Sequence, residues 1–146
     1  MVCAGGAVLA SLLPVPERAT ASKRALRKWF HTSAFPTSDV DLFLWGLAPA
    51  QAEAKLQAIF EAVRDAVPWD VTCVRTKHAV SIHCGCMLQQ RHGAVLIDCA
   101  AQYPYRSVQI VLRLYSSPAE ILAGFDVDAP CCAFDGRWPA QALHNT

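Results

Sequence analysis

Two aspartates stand one residue apart in "PTSDVDLFLWG", residues 36–46, at the head of an apolar run. Side chains alternate across a strand, so Asp39 and Asp41 project to one face and Val40 turns to the core. Two carboxylates side by side repel unless something positive lies between them. A divalent cation suits that place, because Mg²⁺ prefers oxygen ligands and commonly takes one or two carboxylates together with substrate phosphates. The chemistry such a pair serves is phosphoryl chemistry on a metal-bound nucleotide. The plainer alternative is a Ser38-Asp39 turn followed by an exposed acid on a half-buried strand.

Other residues invite chemistry less strongly. "ASKRALRKWFH" gathers Lys23, Arg24, Arg27 and Lys28, which at helical spacing form one basic face. That face suits a triphosphate, an RNA backbone or nuclear import, and equally plain solvation. His83, Cys84, Cys86, His92 and Cys99 are residue types that zinc accepts. Their Cys-x-Cys spacing is not the usual ligand gap, and no metal is expected there. Asp126 and Asp128 in "GFDVDAP" repeat the alternating-acid pattern as solvent-facing groups at a helix exit. Trp29, Trp45 and Trp69 read as core or rim anchors. "QYPYR" reads as a loop packed by Tyr103 and Tyr105.

These residues need a scaffold, and the chain can supply one. It has 146 residues, 53% hydrophobic and 17% charged, with net charge +1. That is one domain able to bury a core without disulfide staples, and its balanced charge excludes a global pull toward nucleic acid or membrane. Seven cysteines at irregular spacing argue against a disulfide framework. Those in "DVTCVR" and "APCCAF" read as small buried hydrophobes of a reducing compartment. The apolar stretch before Ala19-Thr20-Ala21 resembles a signal peptide but has no Lys or Arg ahead of it. The expected location is intracellular, in cytoplasm or nucleus, with a small secreted protein as the alternative. No segment is long and apolar enough to span a membrane.

Along the chain, residues 3–13 read as a helix with Gly5-Gly6 near its start, ended by Pro14. The basic helix follows, then a loop, then a strand over 40–45 closed by Gly46. Pro49 opens the clearest helix, in which Leu56, Ile59, Phe60, Val63 and Val67 form one stripe. "WDVTCVRT" and "HAVSIH" make a hairpin around Thr76-Lys77. Residues 84–101 fit no period except a short strand in "GAVLIDCAA". "SVQIVLRLY" is a strong strand. Ser117, Pro118 and Glu120 write the start of a short helix as a capping box, and Gly124 ends it. "APCCAF" is a last strand before an Asp135-Gly136 turn. The sum is an α/β (α+β) fold with a mixed sheet of four or five strands and flanking helices. It is a single domain over 1–146 with an insertion at 84–101 and an irregular tail at 137–146.

"SDVDL" resembles the metal-binding motif of the polymerase-β-like nucleotidyltransferases, two acids flanking an apolar residue on a strand. Those enzymes carry a Gly-Gly or Gly-Ser pair at the start of the preceding helix, and "CAGGAVLASLL" supplies Gly5-Gly6. The resemblance implies that Asp39 and Asp41 hold Mg²⁺ as catalytic and metal residues, with Gly5, Gly6 and Ser38 near the triphosphate. It implies transfer of a nucleotidyl group from a nucleoside triphosphate to an RNA, protein or small-molecule hydroxyl, with an arginine such as Arg113 neutralising charge. The family's third carboxylate belongs on a neighbouring strand, where "SVQIVLRL" offers Gln109. Asp70, Asp98, Asp126 and Asp128 are the alternatives.

A second resemblance covers more of the chain. "GGAVLASLL", "SDVDLFLWGL" and "VQIVLRLYSSPAEILAGFDVDAPCCAFDG" together are similar to an uncharacterised domain of fungal, algal and giant-virus proteins, many of which bear an ankyrin-repeat label. No ankyrin pattern occurs here. This resemblance implies either a domain that retains metal–nucleotide binding or a non-catalytic interaction or nucleotide-sensing module.

Overall fold

A computed structural model of the chain describes residues 1–34, 36, 38–84, 87–91, 94–98 and 106–137. The helix expected over 3–13 divides in two: Val2–Ala4 is a strand (β1) and Gly6–Leu12 a helix (α1). Gly5 separates them at φ +93°, a conformation that glycine adopts without steric cost. Three strand residues are too few to display a period of two, so the apolar run conceals the change.

Two short helices follow, Glu17–Thr20 (α2) and Lys23–Trp29 (α3), the second running into a π-helical turn over Phe30–Ala34. Ser22 Oγ accepts from Ala25 N–H at 3.1 Å and caps α3. Val40–Trp45 is the expected strand (β2), and Pro49–Ala66 the expected helix (α4). The Gln51 side chain accepts from the Ala48 N–H at 2.9 Å and so satisfies a donor at the head of α4. Val71–Arg75 (β3) and Ala79–Cys84 (β4) form the predicted hairpin, with Thr76 N–H donating to the Ala79 carbonyl.

Met87–Arg91 (β5) and Ala94–Asp98 (β6) form a separate antiparallel pair. The strand in "GAVLIDCAA" therefore has a partner that its sequence does not announce. Val108–Tyr115 (β7), Pro118–Ala123 (α5) and Ala133–Phe134 (β8) complete the order. Ser117 Oγ caps α5 through the Glu120 N–H. The return bond is displaced by one residue from a capping box, since Glu120 accepts from the Ser116 N–H and hydroxyl, each at 2.7 Å.

The main sheet runs β3-β4-β7-β2-β1-β8, six strands where four or five were expected. The concealed strand β1 accounts for the excess. Among the described strands only β2 and β7 pair in parallel. Their register slips between Phe43, opposite Val111, and Leu44, opposite Leu114, so Leu112 and Arg113 bulge from the ladder.

Alternation sends apolar residues to both faces. On one face Leu44, Ile82 and Ile110 are essentially buried beneath Ala52, Leu56, Ile59, Phe60 and Val63 of α4. Burying each such side chain contributes about 1.5–3 kcal/mol. On the other, Val2, Ala4 and Ala133 pack with Ile121 and Leu122 of α5, bordered by Phe43, Tyr115 and Phe125. No helix among the described residues is long and apolar enough to cross a membrane.

Candidate metal and nucleotide site

β2 and β7 run side by side in the same direction, and the Val40 N–H donates to the Ser107 carbonyl at 2.9 Å. Asp41 therefore lies in register with Gln109, and Gln109 in register with Ser81 on β4. Leu42 and Leu44 face α4, so Asp41 occupies the opposite face. Across three strands that face presents a polar row, Asp41, Gln109 and Ser81. Gln109 Nε2 lies 3.5 Å from Ser81 Oγ. Beside the row, His83 Nδ1 and the hydroxyl of the buried Ser107 share a 2.9 Å hydrogen bond.

Electrostatics single out Asp41. Burial, and then the neighbouring Asp39, push its carboxyl up to about 6. Asp39 has a cation in its field: Arg106, whose guanidinium burial pulls down while Asp39 holds it up. Arg106 is fixed by two carbonyls, donating from Nη1 to Ser38 at 2.6 Å and from Nη2 to Phe30 at 2.7 Å. The thiol of Cys3 is pushed up to about 11, by burial first and then by Asp41 and Cys132. At neutral pH it is a protonated thiol and no nucleophile.

The glycine pair comes to the same place. A Cβ at Gly5 would lie 3.5 Å from Asp41 Oδ2 and 3.5 Å from the Phe125 ring, and one at Gly6 would lie 3.1 Å from Ser38 Oγ. Gly5 is tied on its other side, donating its N–H to the Cys132 carbonyl at 3.2 Å. The structure thus brings Gly5, Gly6, Ser38 and Asp41 together, although much sequence separates the glycines from the aspartates. Val40, between the acids, is half-buried on the other face against Cys3, Ala7 and Val8.

A donor set of two carboxylates, one of them raised by burial and then by the other's charge, fits a single hard cation that completes its shell with phosphate oxygens. It does not fit two cations, because the residue in register beside Asp41 is an amide. Among the described residues no three His, Cys, Asp or Glu side chains gather to hold a metal. Asp70, Asp126 and Asp128 are exposed. Asp98 lies on β6, outside the main sheet. Arg113 does not serve the aspartates: it sits in the β7 bulge, paired with Glu120 at 3.0 Å and stacked 4.8 Å from the Tyr115 ring centre. Arg106 is instead the arginine in the field of Asp39. Of the zinc-type set, His83 bonds Ser107 and Cys84 is buried, while Cys86, His92 and Cys99 lie outside the described residues, as do Tyr103 and Tyr105.

Two grooves flank α4, and their walls are mainly aliphatic and aromatic. Comparison with known protein families, characterised proteins and solved structures returns no match to this chain. Sequence reasoning missed Arg106, Ser81 and the His83–Ser107 pair. Arg106 stands two residues before β7 and Asp39 one residue before β2. The parallel pairing of these strands brings Arg106 beside Ser38 and so near Asp39, but nothing local announces parallel pairing.

Proposed function

We propose that this chain is a nucleotidyltransferase-like domain that binds a magnesium–nucleoside triphosphate through Asp39 and Asp41 and no longer transfers the nucleotide. The observation that carries this reading is Asp41 itself. It is a half-buried carboxylate charged against Asp39, with Gly5 near enough on one side that a Cβ there would touch it and an amide in register on the other. Magnesium, when bound, would cancel the repulsion and fix phosphate oxygens. Gly5, Gly6 and the Ser38 hydroxyl border the space those phosphates would enter, and glycine lets backbone approach an anion closely. Gln109 supports loss of transfer, because an amide neither takes a proton from an acceptor hydroxyl at neutral pH nor bridges two cations. The domain would then report nucleotide as a sensing or interaction module, with no RNA or protein acceptor activated.

Calorimetric titration of ATP and GTP tests this. Chelating magnesium should weaken binding at least about tenfold, and Asp39→Asn or Asp41→Asn should abolish the magnesium-dependent part. Binding that ignores magnesium and both substitutions sinks the reading. Release of pyrophosphate by the wild-type chain would overturn the loss of transfer alone.

A further inference from the structure

Residues 17–28 hold Arg18, Lys23, Arg24, Arg27 and Lys28 against one acid, Glu17, in a chain of net charge +1. All five cations are exposed. The ion pairs formed among the described residues are Arg64–Asp65, Arg113–Glu120 and Arg137–Asp135, so none of these five is neutralised by such a pair. On α3, Lys23 and Arg27 are four residues apart, as are Arg24 and Lys28. They make two adjacent rows on one face, with cations about one helical turn apart. Between α2, α3 and the π turn opens a cleft of about 370 Å³ lined by Arg18, Lys28, Trp29, Thr32 and Ser33. The indole of Trp29 is half-buried and braced edge-on against Phe30 at 4.9 Å. The Thr32 hydroxyl donates to the Lys28 carbonyl at 2.9 Å and lies 3.2 Å from the Ser33 hydroxyl.

We infer that this surface binds single-stranded nucleic acid, with backbone phosphates along the two cation rows and a base against Trp29 in the cleft. Cations that track a backbone beside an aromatic face are what sequence-tolerant single-strand binding requires. An anionic membrane fits worse. A helix that lies on a bilayer needs a free apolar face, and Leu26, Trp29 and Phe30 are half-buried against the rest of the chain. Arg106 clasps the Phe30 carbonyl to Ser38, which holds the basic pair of helices beside the start of β2. The surface is built from residues other than the aspartates, and the inference stands whether or not those bind metal.

The test is fluorescence anisotropy of the full chain with short labelled oligouridylate and oligodeoxythymidylate. Four phosphate contacts predict an affinity loss of roughly fiftyfold between about 50 and 200 mM salt. Replacing Arg24, Arg27 and Lys28 together by Gln should weaken low-salt binding at least about tenfold and flatten the log–log salt slope by about 2. Trp29→Leu should weaken binding about fivefold or more without changing that slope. The exposed Gln substitutions keep the test decisive should Trp29→Leu disturb folding. Tighter binding of oligouridylate would name RNA as the ligand, and of oligodeoxythymidylate DNA. No anisotropy change at low salt, an unchanged slope in the triple variant, or retention by phosphatidylserine vesicles but not by oligonucleotides overturns the inference.

Discussion

Asp41 is ionised at neutral pH at a cost to the fold. Its carboxyl is pushed up to about 6 from an ordinary value of 3.8, so the native state holds the proton more tightly than the unfolded chain does. Stability from this group is therefore gained as pH falls through 6 toward 4 and is lost above 6. At pH 7, Asp41→Asn should stabilise the free protein by about 1 kcal/mol, a figure discounted for the solvent that reaches the group. Urea unfolding at pH 7 and at pH 4 checks this, and the advantage of the variant should vanish at the lower pH. The residue proposed to bind the cation is then one whose removal strengthens the empty fold. Asp39 and Asp41 were legible in the sequence because a period of two is a local property. Arg106 was not, because its proximity to Asp39 depends on which strand runs beside β2.

Among the elements, Arg106 acts as a clasp. Its fork reaches the Ser38 carbonyl before β2 and the Phe30 carbonyl at the end of α3. Charge-assisted bonds of this kind are the stronger ones, and a partly exposed pair of them contributes about 2 kcal/mol in all. Arg106→Gln should lower unfolding stability by that amount and speed proteolytic cleavage between residues 30 and 38. Arg106→Lys should not restore either, since one ammonium cannot span two carbonyls in the guanidinium geometry. The long helix α4 was legible from its stripe and α5 from its Ser-Pro-x-Glu start. The last strand was legible in "APCCAF", though only Ala133–Phe134 pair, whereas β1 is too short to show a period. The π turn and the partner strand β5 leave no pattern in residue type at all.

The main sheet has unlike faces. One packs under α4; on the other, among the described residues, α5 packs over the β1–β8 side, with Asp41, Gln109 and Ser81 beside it. Ile110 follows Gln109 in sequence yet is buried under α4, 1% exposed. Ile110→Val should cost about 1 kcal/mol in denaturant unfolding and leave magnesium-dependent nucleotide affinity unchanged. A loss of affinity in that variant would mean that the two faces are not independent.

The interior position of β1 has a consequence for the order of synthesis. Cys3 lies opposite Leu42 on one side and Phe134 on the other. A ribosome delivers β1 and β2 well before β8. Until β8 emerges, the outer edge of β1 carries unpaired backbone groups, and Gly5 lacks the Cys132 carbonyl that receives its N–H. A nascent chain therefore holds both aspartates well before it can lock the glycine turn against them.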